Sequence, residues 1–155
     1  MSAATAVATK PSVTLQRRYA APPAKVYAAW TKPDMIVGWF GPTDTQQETV
    51  RAEMDVRTGG RFTISFTHAS GEYSRVSGVY KEVVPNEKLV FSWAWYTTPE
   101  RESQVTVLTK ADGDGTLLTL THEHFVDQPA ADGHKRGWAG TLEKLAAVLE
   151  AEVAR

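Results

Sequence analysis

The chain has 155 residues and a mass of 17.0 kDa, so it fits one domain with a single hydrophobic core, for which 42% hydrophobic residues supply the material. The absence of cysteine excludes disulfides, thiolate metal sites and cysteine nucleophiles. With 17 basic and 18 acidic residues the net charge is −1, which disfavours nucleic acid and anionic membranes as partners, and no apolar stretch approaches the roughly 18 residues that a membrane-spanning helix needs.

The first ten residues are small and weakly polar, and they lack the basic start and the sustained apolar run of a signal peptide. No linker, internal repeat or low-complexity segment interrupts the rest of the chain. We therefore predict a flexible tail over residues 1–11, a single domain over residues 12–155 and a cytoplasmic location.

The predicted domain opens with one strand and two short helices. Alternating apolar and polar residues over 13–19 indicate the strand. The proline pair at 22–23 can open a helix, because proline is tolerated in the first helical turn. A second helical segment over 33–40 must end at the Gly-Pro pair 41–42.

A period-two pattern follows and continues to residue 124. It predicts six strands, at about 50–56, 61–68, 73–84, 89–95, around 105–107 and at 118–124. Turn signals separate them, including the glycine pair 59–60 and the sequence DGDG at 112–115. Six consecutive strands at this spacing indicate an antiparallel meander.

The last segment is predicted to be one long amphipathic helix. Trp138, Leu142, Leu145 and Leu149 are spaced four, three and four residues apart, which forms a single apolar stripe. An antiparallel sheet with one apolar face can pack against this stripe. The sequence therefore predicts an α+β domain of order β-α-α-β6-α, with the helix lying on the sheet.

Glycines lie near the start of the same predicted helix. Gly133, Gly137 and Gly140 are spaced four and three residues apart, and each costs about 1 kcal/mol relative to alanine in a helix interior. Either close approach of the helix to the sheet or room for a ligand could offset that cost. The sequence does not distinguish between the two explanations.

Six segments stand out in the following order: WTKP at 30–33, WFGP at 39–42, MDVRTGGRF at 54–62, GVYKEVVPNEKL at 78–89, GTLLTL at 115–120 and GW at 137–138. In order and spacing they resemble the family named for the C-terminal domain of the activator of Hsp90 ATPase, which belongs to the START-like (SRPBCC) superfamily. The resemblance covers about residues 13–153.

This resemblance implies a helix-grip fold, in which a curved antiparallel sheet wraps around a long C-terminal helix and leaves a cavity between them. Related START-like proteins use that cavity for lipids, polyketides, hormones or other apolar ligands. The resemblance also implies an alternative, a co-chaperone-like domain with an Hsp90-type chaperone as partner and a role in the stress response. That activity belongs to longer proteins in which another domain precedes this one.

The apolar faces of the third and fifth strands are either ordinary core or the lining of a pocket. They carry Phe62, Ile64, Phe66, Phe91, Trp93 and Trp95. A sheet of six or seven curved strands is hard to fill with one helix, so we predict that these side chains, together with Trp138, line a binding site.

His122 and His124 are separated by one residue on a predicted strand, so both side chains should lie on the same face. The spacing allows chelation, with His68 or His134 as a third zinc ligand. Hydrogen bonding at a pocket rim is the better prediction, because the two histidines finish an apolar face begun by Leu118 and Leu120. We predict no metal and no cofactor.

The sequence contains no nucleophile elbow, no paired carboxylates at one strand end and no glycine-rich phosphate loop, and we predict no catalytic residue. The first hypothesis is a protein that binds a small apolar ligand, aromatic or lipid-like; the second is the chaperone partner. The third is a cyclase or hydrolase that uses cavity histidines or Tyr73 for acid/base chemistry. The predicted ligand-binding residues are Phe62, Ile64, Phe66, His68, Phe91, Trp93, Trp95, His122, His124 and Trp138.

Overall fold

A computed structural model describes residues 10–153. The elements are β1 (Val13–Tyr19), α1 (Pro23–Thr31), α2 (Pro33–Ile36), β2 (Thr45–Met54), β3 (Arg61–His68), β4 (Tyr73–Val84), β5 (Lys88–Trp95), β6 (Ser103–Asp112), β7 (Gly115–Glu123) and α3 (Gln128–Val153). This order confirms the predicted succession of strand, two helices, six strands and a long helix. Most of the predicted tail, residues 1–9, lies outside the described residues.

The seven strands form one curled antiparallel sheet in the order β1-β7-β6-β5-β4-β3-β2. Strands β2 to β7 are a meander, and β1 joins β7 at the far edge, where Val13 pairs with His122. Helix α3 is fixed to this edge by Arg17, which forms an ion pair with Glu143, and by the Tyr19 hydroxyl, which donates to the Leu142 carbonyl at 2.9 Å. The predicted helix-grip fold is confirmed.

The apolar stripe of α3 is buried as its spacing predicts, and it joins a core rich in aromatic rings. Trp30 of α1 contacts Trp39 with ring centroids 4.8 Å apart and Trp138 of α3 at 5.9 Å. The elements before β2 therefore pack into the same core as the long helix. No helix within residues 10–153 is long and apolar enough to cross a membrane.

Several boundaries differ from the predictions, and three of the differences bear on the site. Strand β2 begins at Thr45 rather than near residue 50. The alternation pattern misses this start because the first residues of the strand are polar and a register shift separates Gln46 from Arg51. Helix α2 ends at Ile36, and the turn that follows still buries Trp39 and Phe40.

The third difference lies at the end of β7. The strand ends at Glu123, because His124 adopts a left-handed backbone conformation with φ 71°. An extended backbone is needed for residues two apart to share a face. The prediction that His122 and His124 lie on one face is therefore wrong.

Candidate ligand-binding cavity

A cavity of about 690 Å³ lies between the sheet and the first half of α3. It is bounded by the 40–43 segment after α2, the ends of β3 and β5, the start of β4 and residues 129–141 of α3. Its volume falls within the range of roughly 300–1,000 Å³ that is usual for sites of small organic ligands.

Half of the predicted binding residues line this cavity, and they are Phe66, His68, Trp93, Trp95 and Trp138. Strand alternation places the first two on one face of β3 and the next two on one face of β5. The indole rings contact one another, with centroids 5.1 Å apart for Trp93 and Trp138 and 5.4 Å for Trp93 and Trp95. The lining is therefore rich in aromatic rings.

Phe62, Ile64 and Phe91 do not line the cavity. They surround a separate inner pocket of only about 20 Å³, and all three are buried. Trp30 and Phe40 also line the inner pocket, so side chains from the α1–α2 region fill this end of the space. The sequence pattern of β3 and β5 is the same at both ends of the strands. It therefore does not indicate which part of the space between sheet and helix is filled by side chains.

His122 lies behind the lining and is fully buried. Its Nδ1 accepts a hydrogen bond from the Trp138 indole N–H at 2.9 Å, so its Nε2 carries the proton and donates to the Ser103 Oγ at 2.7 Å. His124 is on the outside: 57% of its side chain is exposed, and its Nε2 lies 3.7 Å from Glu123. The predicted binding residue His124 is thus remote from the cavity, and His122 reaches it only through Trp138.

His134 also lines the cavity, although the sequence pattern indicated for it only a possible role as a metal ligand. It lies one helical turn before Trp138, and this spacing of four residues was the available signal. Its Nδ1 donates to the Ala130 carbonyl at 2.8 Å, and its Nε2 accepts from the Trp95 indole N–H at 2.9 Å. The two imidazoles of His134 and His122 contact each other with ring centroids 4.9 Å apart.

Burial keeps both of these histidines neutral. Desolvation, and to a lesser extent the nearby His134, lowers the pKa of His122 to about 2. Desolvation also lowers the pKa of His134, although its hydrogen bond to the Ala130 carbonyl opposes the shift. Each neutral ring accepts an indole N–H, so Trp95 and Trp138 have no unsatisfied donor to present to a ligand.

The helix glycines divide into two kinds. A Cβ at Gly140 would lie 2.7 Å from Thr43 Cγ2, so this glycine permits close approach of the 40–43 segment. A Cβ at Gly137 would meet no atom within 4 Å, and at Gly133 only the end of the Arg136 side chain at 3.9 Å. Gly133 and Gly137 both line the cavity, so two of the three glycines leave space rather than allow contact.

The mouth of the cavity is polar. His68 contacts Asp44 on one side and Ser74 on the other, and Glu72 and Arg136 also line the opening. Among residues 10–153 no group of three or more His, Asp or Glu side chains is placed to hold a metal ion.

A curled antiparallel sheet, a long C-terminal helix and a cavity between them define a START-like helix-grip protein. Residues 20–150 match the family described as Activator of Hsp90 ATPase homolog 1-like protein, and the chain belongs to that family. No curated protein matches the sequence.

Solved structures of similar chains extend over nearly the whole molecule. Protein CV1439 from Chromobacterium violaceum is 26% identical with a TM-score of 0.78, covering 90% of this chain and 96% of that one. The AHSA1 protein SPO3351 from Silicibacter pomeroyi is 26% identical with a TM-score of 0.77, covering 92% and 99%. Protein Mll3558 from Rhizobium loti is 28% identical with a TM-score of 0.74, covering 89% and 96%.

Proposed function

We propose that this protein reversibly binds a small, mainly apolar compound with an aromatic or similarly flat body in the cavity between the sheet and α3. The observation that carries the proposal is the cavity itself, about 690 Å³ in volume and lined by indole and phenyl rings. Removal of apolar ligand surface from water contributes roughly 25 cal/mol per Å² and needs no charged group.

The hydrogen bonding of two of the lining indoles supports an apolar ligand. The N–H groups of Trp95 and Trp138 are bonded to His134 and His122, so the rings are held in place and offer their carbon faces. Rings fixed in this way lose little conformational entropy when a ligand binds. Offset stacking or edge-to-face contact with an aromatic ligand contributes about 0.5–1.5 kcal/mol beyond the free energy gained by burying apolar surface.

The chaperone hypothesis leads to a different expectation for the same space. A domain that acts only through its surface should have a filled core and an exposed apolar patch, whereas a ligand-binding domain should have an open interior. The cavity favours the ligand-binding hypothesis. The chaperone hypothesis is supported only by the name of the family.

A pair of substitutions at Gly137 tests the proposal. Gly137→Leu should project a side chain into the cavity, since a Cβ at Gly137 meets nothing within 4 Å. Gly137→Ala is the matched control, because it removes the same helix-destabilising glycine while adding one methyl group. Binding is measured by tryptophan fluorescence and thermal shift with a panel of flavonoids, aromatic lactones and fatty acids.

We expect at least one aromatic compound to quench the wild-type fluorescence in a saturable manner and to raise its melting temperature. Gly137→Ala should retain this binding and Gly137→Leu should lose it. Equal binding by the two variants would place the ligand elsewhere, and the absence of any saturable ligand for the wild type would overturn the proposal.

A further inference from the structure

Three polar side chains meet at the mouth of the cavity because of how the sheet is paired. His68 ends β3 on the face that carries Phe66, and Phe66 pairs with Ser74 of β4, so Ser74 is on that face too. His68 and Ser74 are thus diagonal neighbours across two strands, close enough for a side-chain contact. On the other side, Thr45 of β2 pairs with His68, which places Asp44 next to the imidazole.

The contacts follow a defined order. His68 Nδ1 lies 2.9 Å from Asp44 Oδ2, and His68 Nε2 lies 3.0 Å from Ser74 Oγ. An ionised carboxylate can only accept a hydrogen bond, so Nδ1 carries the proton of the neutral imidazole. Nε2 then offers its lone pair to the Ser74 hydroxyl, which donates to it.

This is the arrangement of a Ser-His-Asp triad: the carboxylate orients the imidazole through Nδ1, and Nε2 faces the hydroxyl as a base. Triads occur on unrelated folds and in different chain orders, and they are recognised by geometry rather than by position in the sequence. The order here is Asp44, His68, Ser74 without a nucleophile elbow, so sequence motifs give no sign of it.

We propose that Ser74, His68 and Asp44 hydrolyse carboxylic esters, including lactones, whose apolar aromatic part lies in the cavity. The proposal rests on the proposed function, since the cavity must hold that part of the substrate. His68 and Ser74 both line the cavity, so the hydroxyl is placed at the junction of the apolar space and the solvent. The imidazole is largely shielded, with 18% of its side chain exposed, and Asp44 is 53% exposed.

The reaction has two steps. Ser74 Oγ attacks the ester carbonyl carbon while its proton passes to His68 Nε2, and the resulting oxyanion collapses as the bond from carbon to the alkoxy oxygen breaks. His68 gives the proton to the leaving oxygen and an acyl-Ser74 ester remains. Water then adds to this ester with His68 as base, releases the carboxylic acid and returns the proton to Ser74.

A positive group for the oxyanion is available in the same cavity. Arg136 lies one turn before Gly140 on α3, lines the opening, and forms no ion pair within the described part of the chain. Guanidinium groups stabilise negative charge that develops on a substrate oxygen. We assign that role to Arg136.

The test uses phenylmethanesulfonyl fluoride and p-nitrophenyl phenylacetate as probes on the purified full chain. We expect the sulfonyl group to label Ser74 at one equivalent, identified by peptide mass spectrometry, with loss of the p-nitrophenol-releasing activity. Ser74→Ala and His68→Ala should lower the hydrolysis rate by about 10²–10⁴-fold. Arg136→Gln should lower it by up to about 10³-fold.

Two variants separate catalysis from folding. His68→Gln can still contact Asp44 and Ser74 but cannot act as a base, so it should fold normally and fail to hydrolyse the ester. Ser77→Ala is the matched control, because Ser77 lies three residues further along β4 and therefore on the opposite face of the sheet. It should be labelled and active like the wild type.

The outcomes also separate this proposal from the proposed function. If aromatic compounds still quench the tryptophans while Ser74 stays unlabelled, or while His68→Gln hydrolyses the ester at the wild-type rate, the hydrolytic site is overturned and ligand binding stands. If labelling and hydrolysis occur in wild type and Gly137→Leu alike, the triad stands but the cavity does not hold the substrate.

Discussion

The two ends of the space between sheet and helix differ although the strands that face them follow the same pattern. At one end Phe62, Ile64 and Phe91 are packed around an inner pocket of about 20 Å³. At the other end the same two strands, β3 and β5, carry Phe66 and Trp95 onto a cavity of about 690 Å³. The strands alone therefore do not decide whether the space is filled.

The elements that cover the sheet make the difference. The filled end is covered by large side chains from the region before β2, including Trp30 and Ile36, and Phe40 lies between the two ends. The open end is covered by the first half of α3, where Gly133 and Gly137 add no side chain to the space. Aromatic side chains from the region before β2 therefore fill one half of the space, and two helical glycines leave the other half open.

The side chain at the boundary between the two ends should have the largest effect on stability. Trp138 contacts Trp30 on the filled side and Trp93 beside the cavity, and its N–H is bonded to the buried His122. We expect Trp138→Ala to lower the free energy of unfolding by about 3–5 kcal/mol, measured by urea denaturation.

Trp138→Phe is the control for this prediction, because it keeps a ring in place but leaves the His122 Nδ1 without a donor. It should cost less than the alanine variant, about 1–3 kcal/mol. A loss below about 1 kcal/mol for Trp138→Ala would mean that this part of α3 does not pack on the sheet.

Most of the fold could be predicted because it depends on local patterns. The period-two sequence pattern predicted β3 and β4 with the ends that the structure shows. The apolar stripe from Trp138 to Leu149 identified the buried side of α3. The start of β2 could not be predicted, because the polar residues from Thr45 to Thr49 do not alternate in hydrophobicity and a register shift separates the first two pairs of the strand from the pairs that begin at Arg51.

The candidate site was predictable only in part, for the same reason. The alternation of residues in β3 predicted that Phe66 and His68 lie on one face. The pairing of Thr45 with His68 and of Phe66 with Ser74 could not be predicted, because it depends on strand register, which hydrophobic patterns do not define at polar strand ends. The left-handed backbone of His124 depends on a turn that no glycine or asparagine signals. The ligand-binding roles of the predicted residues remain predictions.

The pH dependence of stability tests the burial of His122, which lies behind the lining of the open end. Burial lowers the pKa of His122 to about 2, so between about pH 6.5 and pH 2 the unfolded chain binds a proton there that the folded chain does not. The contribution of His122 to stability is therefore complete above about pH 6.5 and is lost as the pH falls, by about 1.4 kcal/mol per pH unit.

Urea denaturation at pH 7 and pH 5 of the wild type and of His122→Asn checks this prediction. The buried His134 is present in both proteins, so its own lowered pKa affects both curves alike. We expect the wild type to lose roughly 2 kcal/mol more than the variant between the two pH values. Parallel loss in both proteins would show that His122 is accessible to protons in the folded chain.

The smallest expected effects come from adding a side chain at each end of the space. Ile64→Trp places a large ring in the packed end, where only about 20 Å³ is free, and should cost about 1–3 kcal/mol through overpacking. Gly137→Leu adds a side chain at the open end and replaces a poor helix former with a good one, so its stability should equal or exceed that of the wild type by up to about 1 kcal/mol. The effects on ligand binding should be the opposite of those on stability. Ile64→Trp should still bind an aromatic ligand, and Gly137→Leu should exclude it. If both additions were equally well tolerated, the filled end would be as loosely packed as the open one, and the distinction between core and binding site would have to be drawn elsewhere.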